Sequence, residues 1–147
     1  MALFYGELQK IRPFFSEHNV EMELLYIDDG SRDGTVSEVK KLREEDERVH
    51  LISFSRNFGK EAAMFAGLEN SKGDYVVMMD VDLQDPPSQL PEMFSYIQEG
   101  YDSVATSRVS RKGEPPIRSF FARMFYRLMK KISKTEIMDG ARDYRLM

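Results

Sequence analysis

The 147-residue sequence has no cysteine. Disulfides and thiolate metal sites are therefore excluded, and a reducing compartment is compatible with the composition. No apolar run approaches the ~20 residues of a membrane-spanning helix, and no signal peptide opens the chain, so the expectation is a soluble fragment. The two histidines, His18 and His50, have no partner pattern and read as structural or surface residues. Internal repeats, low-complexity tracts and interdomain linkers are also missing. What remains is an ordinary globular composition, 41% hydrophobic and 31% charged, long enough for one domain with its own core.

The net charge of −4 hides an asymmetry. Residues 108–147 hold 11 basic and 4 acidic side chains, a balance of +7, whereas residues 1–107 hold 10 basic and 21 acidic, a balance of −11. Such a split suits a basic surface facing an anionic partner, and equally a solvated helix face.

Hydrophobic spacing orders the chain as alternating helices and strands. Leu3, Phe4, Leu8, Ile11 and Phe14 or Phe15 predict an opening helix that Pro13 helps to end. Residues 23–27 (ELLYI) predict a buried strand stopping at an Asp/Gly turn. Thr35 and Glu38 form a candidate capping box for a second helix. Residues 49–54 read as a strand and 60–71 as a helix with Ala63, Met64, Gly67 and Leu68 on one face. Residues 75–79 (YVVMM) read as a strand covered on both faces. A helix over 90–98, stopped by Gly100, and a strand over 103–106 follow. Residues 107–116 predict a loop, and 117–134 a basic amphipathic helix. The apolar face of that helix, with Phe120, Phe121 and Phe125, is bordered by Arg118, Arg123, Arg127, Lys130 and Lys131. That pattern suits a membrane interface or packing on a sheet. Alternation of this kind predicts an α/β domain with a mostly parallel sheet, where ligands sit beyond the C-terminal strand ends.

Three segments at such ends carry the chemistry. Asp80, Asp82 and Asp85 lie within Asp80-Val81-Asp82-Leu83-Gln84-Asp85-Pro86-Pro87, and carboxylates this close repel unless a proton or cation sits among them. Hard oxygen ligands suit Mg²⁺ or Mn²⁺, and the two prolines restrict the loop; alone, Asp-x-Asp reads as readily as an acidic turn. Asp28 and Asp29 begin Asp28-Asp29-Gly30-Ser31-Arg32-Asp33-Gly34-Thr35, which suits acceptance of hydrogen bonds from a base or ribose, or a plain turn. Ser55-Arg56-Asn57-Phe58-Gly59-Lys60 could turn N–H groups, Arg56 and Lys60 toward phosphate.

Together with Gly73-Asp74 and Gly140-Ala141-Arg142-Asp143-Tyr144-Arg145-Leu146-Met147, these segments resemble glycosyltransferase family 2, in particular its polyprenyl-phosphate branch (dolichyl-phosphate mannosyltransferase and bactoprenol glucosyltransferase relatives). The order matches, over nearly the whole chain. The resemblance implies a GT-A fold and an inverting transfer from a nucleotide-diphosphate sugar, UDP-linked in this reading, to undecaprenyl or dolichyl phosphate. It implies that Asp29 contacts the nucleobase, that Asp28, Arg56 and Lys60 belong to the donor site, and that Asp80 and Asp82 bind nucleotide and metal. Gln84 and Asp85 would line the sugar side, Asp143 would be a base or positioning group, and Arg108 and Arg118 would meet the acceptor phosphate. The expected setting is the cytoplasmic face of a membrane, reached through the basic helix, with no nucleic-acid partner.

Two departures set further expectations. The family's apolar first strand, with its Pro-x-Tyr-Asn-Glu-like end, has no counterpart in residues 1–147, and neither have the transmembrane helices of this branch. The chain therefore reads as a partial GT-A domain with exposed neighbouring strand edges, weak or no activity of its own, and a gap that dimerisation or a foreign strand could fill. Three other readings compete. A polysaccharide or protein glycosyltransferase would share the donor motifs. A nucleotidyltransferase or an aspartyl phosphatase would need a Gly-rich basic loop or a Ser/Thr and Lys pattern that the sequence does not show. A non-catalytic nucleotide-binding module would retain the fold alone.

Overall fold

The computed structural model describes residues 2–107 and 141–147. They form α1 (Ala2–Glu17), β1 (Leu24–Asp28), α2 (Thr35–Glu45), β2 (Val49–Ser53), α3 (Lys60–Asn70), β3 (Val77–Met78), α4 (Leu90–Gln98), β4 (Val104–Ser107) and β5 (Ala141–Leu146). The chain divides into two compact units, the first made of Met1–Val104 with Tyr144–Met147, the second of Ala105–Asp143. Ser107, expected to open a loop, instead ends β4, and residues 108–116 of that loop and the basic helix over 117–134 lie outside the described residues.

The α/β class is as the sequence predicts, and β1 pairs parallel with β2, in register from Leu24↔Val49 to Asp28↔Ser53. The second sheet has the order β3-β5-β4, and β3 pairs antiparallel with β5 through Val77↔Leu146 and Met78↔Arg145. The apolar run 75–79 therefore yields a two-residue strand, extended by the reciprocal bonds between Val76 and Met147 (2.7 and 3.0 Å).

Two local expectations are corrected. α1 runs through Pro13 to Glu17. Proline forfeits one helical hydrogen bond, but Phe15 lies beyond it on the buried face and packs edge-on against Phe94, with ring centroids 5.5 Å apart. The capping box does not form. Gly34, not Thr35, is the cap of α2, and the Thr35 N–H is instead taken by Asp33 Oδ1 at 2.9 Å. α4 matches its predicted bounds and ends at Gly100, whose φ of +101° is the left-handed conformation glycine tolerates best.

The core joins α1 (Phe4, Leu8, Ile11, Phe15), α4 (Leu90, Met93, Phe94, Ile97), Val39, Val49, Tyr144 and Leu146. A buried polar tie supports it from one side. Asp46 accepts the Tyr5 hydroxyl at 2.7 Å and Arg48 Nε at 2.8 Å, linking α1 to the turn between α2 and β2. The Arg48 bonds, helped by Tyr5 and opposed by burial, hold the Asp46 carboxyl well below the usual carboxylate range. A depressed acid stabilises the fold above its unfolded pKa of about 4 and loses that contribution as pH falls toward its folded value. Acid titration should therefore unfold the chain progressively below pH ~4. Asp46→Asn should flatten that part of the curve, and an unchanged acid limb would exclude this tie as its source.

Between the sheets lies a cavity of about 760 Å³, lined by all of β1, by residues 75–81, by Phe4, Leu8 and Phe15 of α1, and by Ala63, Met64, Gly67 and Leu68 of α3. The Leu24 N–H and Asp28 C=O bond toward the β2 side, so alternation turns Leu25 and Ile27 toward the cavity. Val76 bonds Met147 on the other sheet, so Val77 and Met79 turn their backbone groups the opposite way, toward the same cavity. Each sheet thus ends in an open edge, and among the described residues no strand pairs with either. Amide exchange should alternate along both strands, fast at Leu25, Ile27, Val77 and Met79 and slow at Tyr26 and Met78. Equal protection at both sets would show the edges to be paired in solution.

Candidate functional site

β1 delivers Asp28, Asp29 and Gly30 to its C-terminal end. Asp28 is 5% exposed, and its carboxylate accepts the Ser53 hydroxyl at 2.9 Å and the Ser31 N–H at 3.2 Å. Burial pushes its pKa up, but the bonds from Ser31 and Ser53 outweigh this and hold it below the ordinary value. A carboxylate so committed stabilises the strand end.

Asp29 reaches across to the next segment. Its Oδ1 accepts the Phe58 N–H at 2.7 Å and its Oδ2 the Gly59 N–H at 3.0 Å. The loop 55–60 then feeds directly into α3, whose first residue is Lys60. Within that loop the Arg56 guanidinium lies 4.9 Å from the centre of the Phe58 ring, and Phe58 meets Phe54 edge-on at 5.6 Å. Phe58 itself is 53% exposed.

Lys60 makes the third connection. Its Nζ lies 2.9 Å from Asp80 Oδ2, beyond the end of β3. Both side chains are about half exposed, so the pair is screened and adds little to stability. Its importance is spatial: it joins the basic loop to the first aspartate of Asp80-Val81-Asp82. The three segments that the sequence singles out are thus linked in space, from Asp29 through the loop to Lys60 and Asp80.

Past Asp80 the chain turns sharply. Leu83 has φ of +62°, and Asp82 Oδ1 accepts the Gln84 N–H at 2.9 Å, which closes a local Asx-type turn. Pro86 and Pro87 then lead through a short 3₁₀ turn into α4. Buried Tyr144, from β5, donates its hydroxyl to the Pro86 carbonyl at 3.2 Å, pinning the far end of this loop. Burial raises the Tyr144 pKa, and the Asp85 charge raises it further, so the hydroxyl stays protonated.

Among the described residues, no three acidic or histidine side chains converge as a metal cage. Asp80, Asp82 and Asp85 do not form such a cage, and between Asp82 and Asp85 the chain passes through the left-handed turn at Leu83. What fits the chemistry of Mg²⁺ or Mn²⁺ is one or two carboxylates, Asp80 and Asp82, completed by oxygens of a phosphate ligand and water. Gln84 is exposed and Asp85 half-buried on the same loop. Asp143 belongs to the β5 backbone, while Arg108 and Arg118 lie outside the described residues. Sequence reasoning missed two contributors. Tyr144 as the support of the loop left only the signal of an aromatic in a terminal strand. The grip of Asp29 on Phe58 and Gly59 joins positions about thirty residues apart, with no local pattern to announce it.

The chain matches the profile of the family described as "Glycosyl transferase family 2" over residues 4–147. It is 40% identical over 139 residues to "Putative glycosyltransferase CsbB" of Bacillus subtilis (strain 168), covering 95% of this chain and 42% of that protein. It is 40% identical over 141 residues to "Bactoprenol glucosyl transferase" of Shigella phage SfV, covering 96% and 44%. The "Prophage bactoprenol glucosyl transferase homolog" of Escherichia coli (strain K12) is 39% identical over 147 residues, covering 100% and 47%. The chain therefore spans less than half the length of these curated relatives.

Proposed function

The chain belongs to glycosyl transferase family 2, and from that premise we propose that it forms the donor-binding part of an inverting sugar transferase. Its donor is a nucleotide-diphosphate sugar, UDP-linked in this reading, and its acceptor a polyprenyl phosphate at the cytoplasmic face of a membrane. The observation that carries the reading is the Lys60–Asp80 contact, which puts a cation and the first carboxylate of Asp80-Val81-Asp82 at one point beyond the strand ends. Relatives named bactoprenol glucosyl transferase support the acceptor class.

In this mechanism Arg56, Lys60 and the N–H groups at the start of α3 face the diphosphate. Asp80 and Asp82 supply hard oxygen ligands for Mg²⁺ or Mn²⁺, as enzymes of this family commonly use a divalent metal. Such an ion, when bound, screens the charge that builds on the departing diphosphate. Gln84 and Asp85 line the sugar side, and Tyr144 fixes the loop that carries them. A phosphate acceptor is already ionised at neutral pH, so positioning matters more than proton removal. Asp143 is therefore a base or positioning group, and Arg108 and Arg118 meet the acceptor phosphate. The excess of +7 over residues 108–147 suits an anionic membrane surface. No helix among the described residues is long and apolar enough to cross a membrane.

The test incubates the full-length gene product with labelled UDP- and GDP-sugars, polyprenyl-phosphate vesicles and Mg²⁺. Lipid-linked label that requires the metal is the expected result. Label on a polysaccharide or protein instead would move the acceptor to the rival class. No transfer from any donor would sink the proposal in favour of a non-catalytic nucleotide-binding module.

A further inference from the structure

The Lys60–Asp80 contact sets a cation on one of the two carboxylates that suit a divalent ion. Lys60 Nζ stands 2.9 Å from Asp80 Oδ2. The carboxylate keeps other lone pairs, so the obstacle to a metal there is charge rather than saturation. An ammonium this close repels a doubly charged ion approaching the same group, even against a watery dielectric. Among the described residues no third acidic or histidine side chain joins Asp80 and Asp82 to offset that charge.

Lys60 is also weakly held where it stands. It is the first residue of α3, at the positive end of the helix dipole, where a cation is disfavoured. Its ion pair is half exposed on both sides, and such pairs contribute little. Its backbone begins a regular helix, so its freedom lies in the flexible four-carbon side chain. A diphosphate facing the start of α3 offers the ammonium more negative charge than one carboxylate does.

We propose that Lys60 is a placeholder for the divalent ion at Asp80. While no diphosphate is present, the ammonium disfavours the ion. When the diphosphate arrives, the ammonium transfers to it and Asp80 is released. The site therefore takes the ion together with the nucleotide rather than ahead of it. By linkage, each of the two ligands tightens the other by the same factor. The proposal rests on the donor-site reading above for the identity of the diphosphate. The competition between ammonium and ion for Asp80 is separable from that reading.

The experiment titrates Mn²⁺ into the 147-residue chain and follows the free ion by electron paramagnetic resonance, first alone and then with saturating UDP. The variants are Lys60→Gln, which removes the charge, Lys60→Arg, which keeps it, and Lys10→Gln, which removes a remote charge on α1. With Mn²⁺ alone, Lys60→Gln should bind the ion about tenfold more tightly than the unmodified chain. Lys60→Arg and Lys10→Gln should match the unmodified chain. With UDP present, the unmodified chain should gain affinity for Mn²⁺, and Lys60→Gln should gain about tenfold less. Equal, weaker or undetectable binding of Mn²⁺ alone by Lys60→Gln overturns the proposal. The same tightening in Lys10→Gln overturns it in favour of a general surface-charge effect. An equal gain from UDP in both chains overturns it in favour of a lysine that never leaves Asp80. If the unmodified chain responds to no nucleotide while Lys60→Gln still tightens Mn²⁺, the donor-site reading falls and the competition for Asp80 stands.

Discussion

Asp82→Asn is expected to lower metal-dependent transfer by about a hundredfold or more, the scale seen when one preorganised charge-stabilising group is removed. The substitution is nearly isosteric. Asn keeps the side-chain oxygen that accepts the Gln84 N–H, so the turn after Asp82 survives. Asp82 is exposed, and replacements at such positions usually change stability by no more than about 0.5 kcal/mol. What is lost is a hard anionic oxygen. Asp80 already faces the Lys60 ammonium, so Asp82 is the carboxylate of the pair without a salt bridge among the described residues. The check is turnover against Mg²⁺ concentration beside a thermal melt. Full activity with an unaltered metal dependence would remove Asp82 from the metal site.

The second large effect is on stability. Tyr144 is 1% exposed and lies between the core and the Pro86 carbonyl. Truncating a buried aromatic to alanine costs about 3–5 kcal/mol, against the ~5–15 kcal/mol that holds a typical domain together. Tyr144→Ala should therefore leave the chain largely unfolded at 37 °C, and denaturant titration with circular dichroism would read it. Tyr144→Phe keeps the packing and gives up one hydrogen bond, about 1 kcal/mol. That variant should fold while its loop over residues 80–87 loosens, so its effect falls on turnover more than on melting. Equal stability of the Ala and Phe variants would show that the pocket around Tyr144 is not the support described.

Much of this was legible in the sequence, and the exceptions have physical causes. Helices α2, α3 and α4 follow from amphipathic spacing, and α4 is bounded as predicted. Pro13 misled because local propensity was overruled by the burial of Phe15 two residues further on. The capping box failed because Asp33, two residues before Thr35, captures the N–H first. The apolar run 75–79 announced burial but not direction, and only the pairing with Arg145 and Leu146 makes β3 antiparallel. At the site, the residue types and their strand-end positions were readable from spacing. The contacts that join them were not. Asp29 to Phe58 and Lys60 to Asp80 are tertiary pairings across 29 and 20 residues, and no local periodicity encodes them. Among the described residues no strand pairs with the outer edges of β1 and β3, and the cavity lies along both.

The central claim is that Asp80, Asp82 and Lys60 together receive a nucleoside diphosphate with a divalent ion. It is tested most directly by calorimetric titration of UDP and GDP into the 147-residue chain, with and without Mn²⁺. The account predicts binding that requires Mn²⁺, that is weakened about tenfold or more by Asp82→Asn, and that is weakened again by Lys60→Ala. Binding of equal strength without the ion, or untouched by Asp82→Asn, would contradict it.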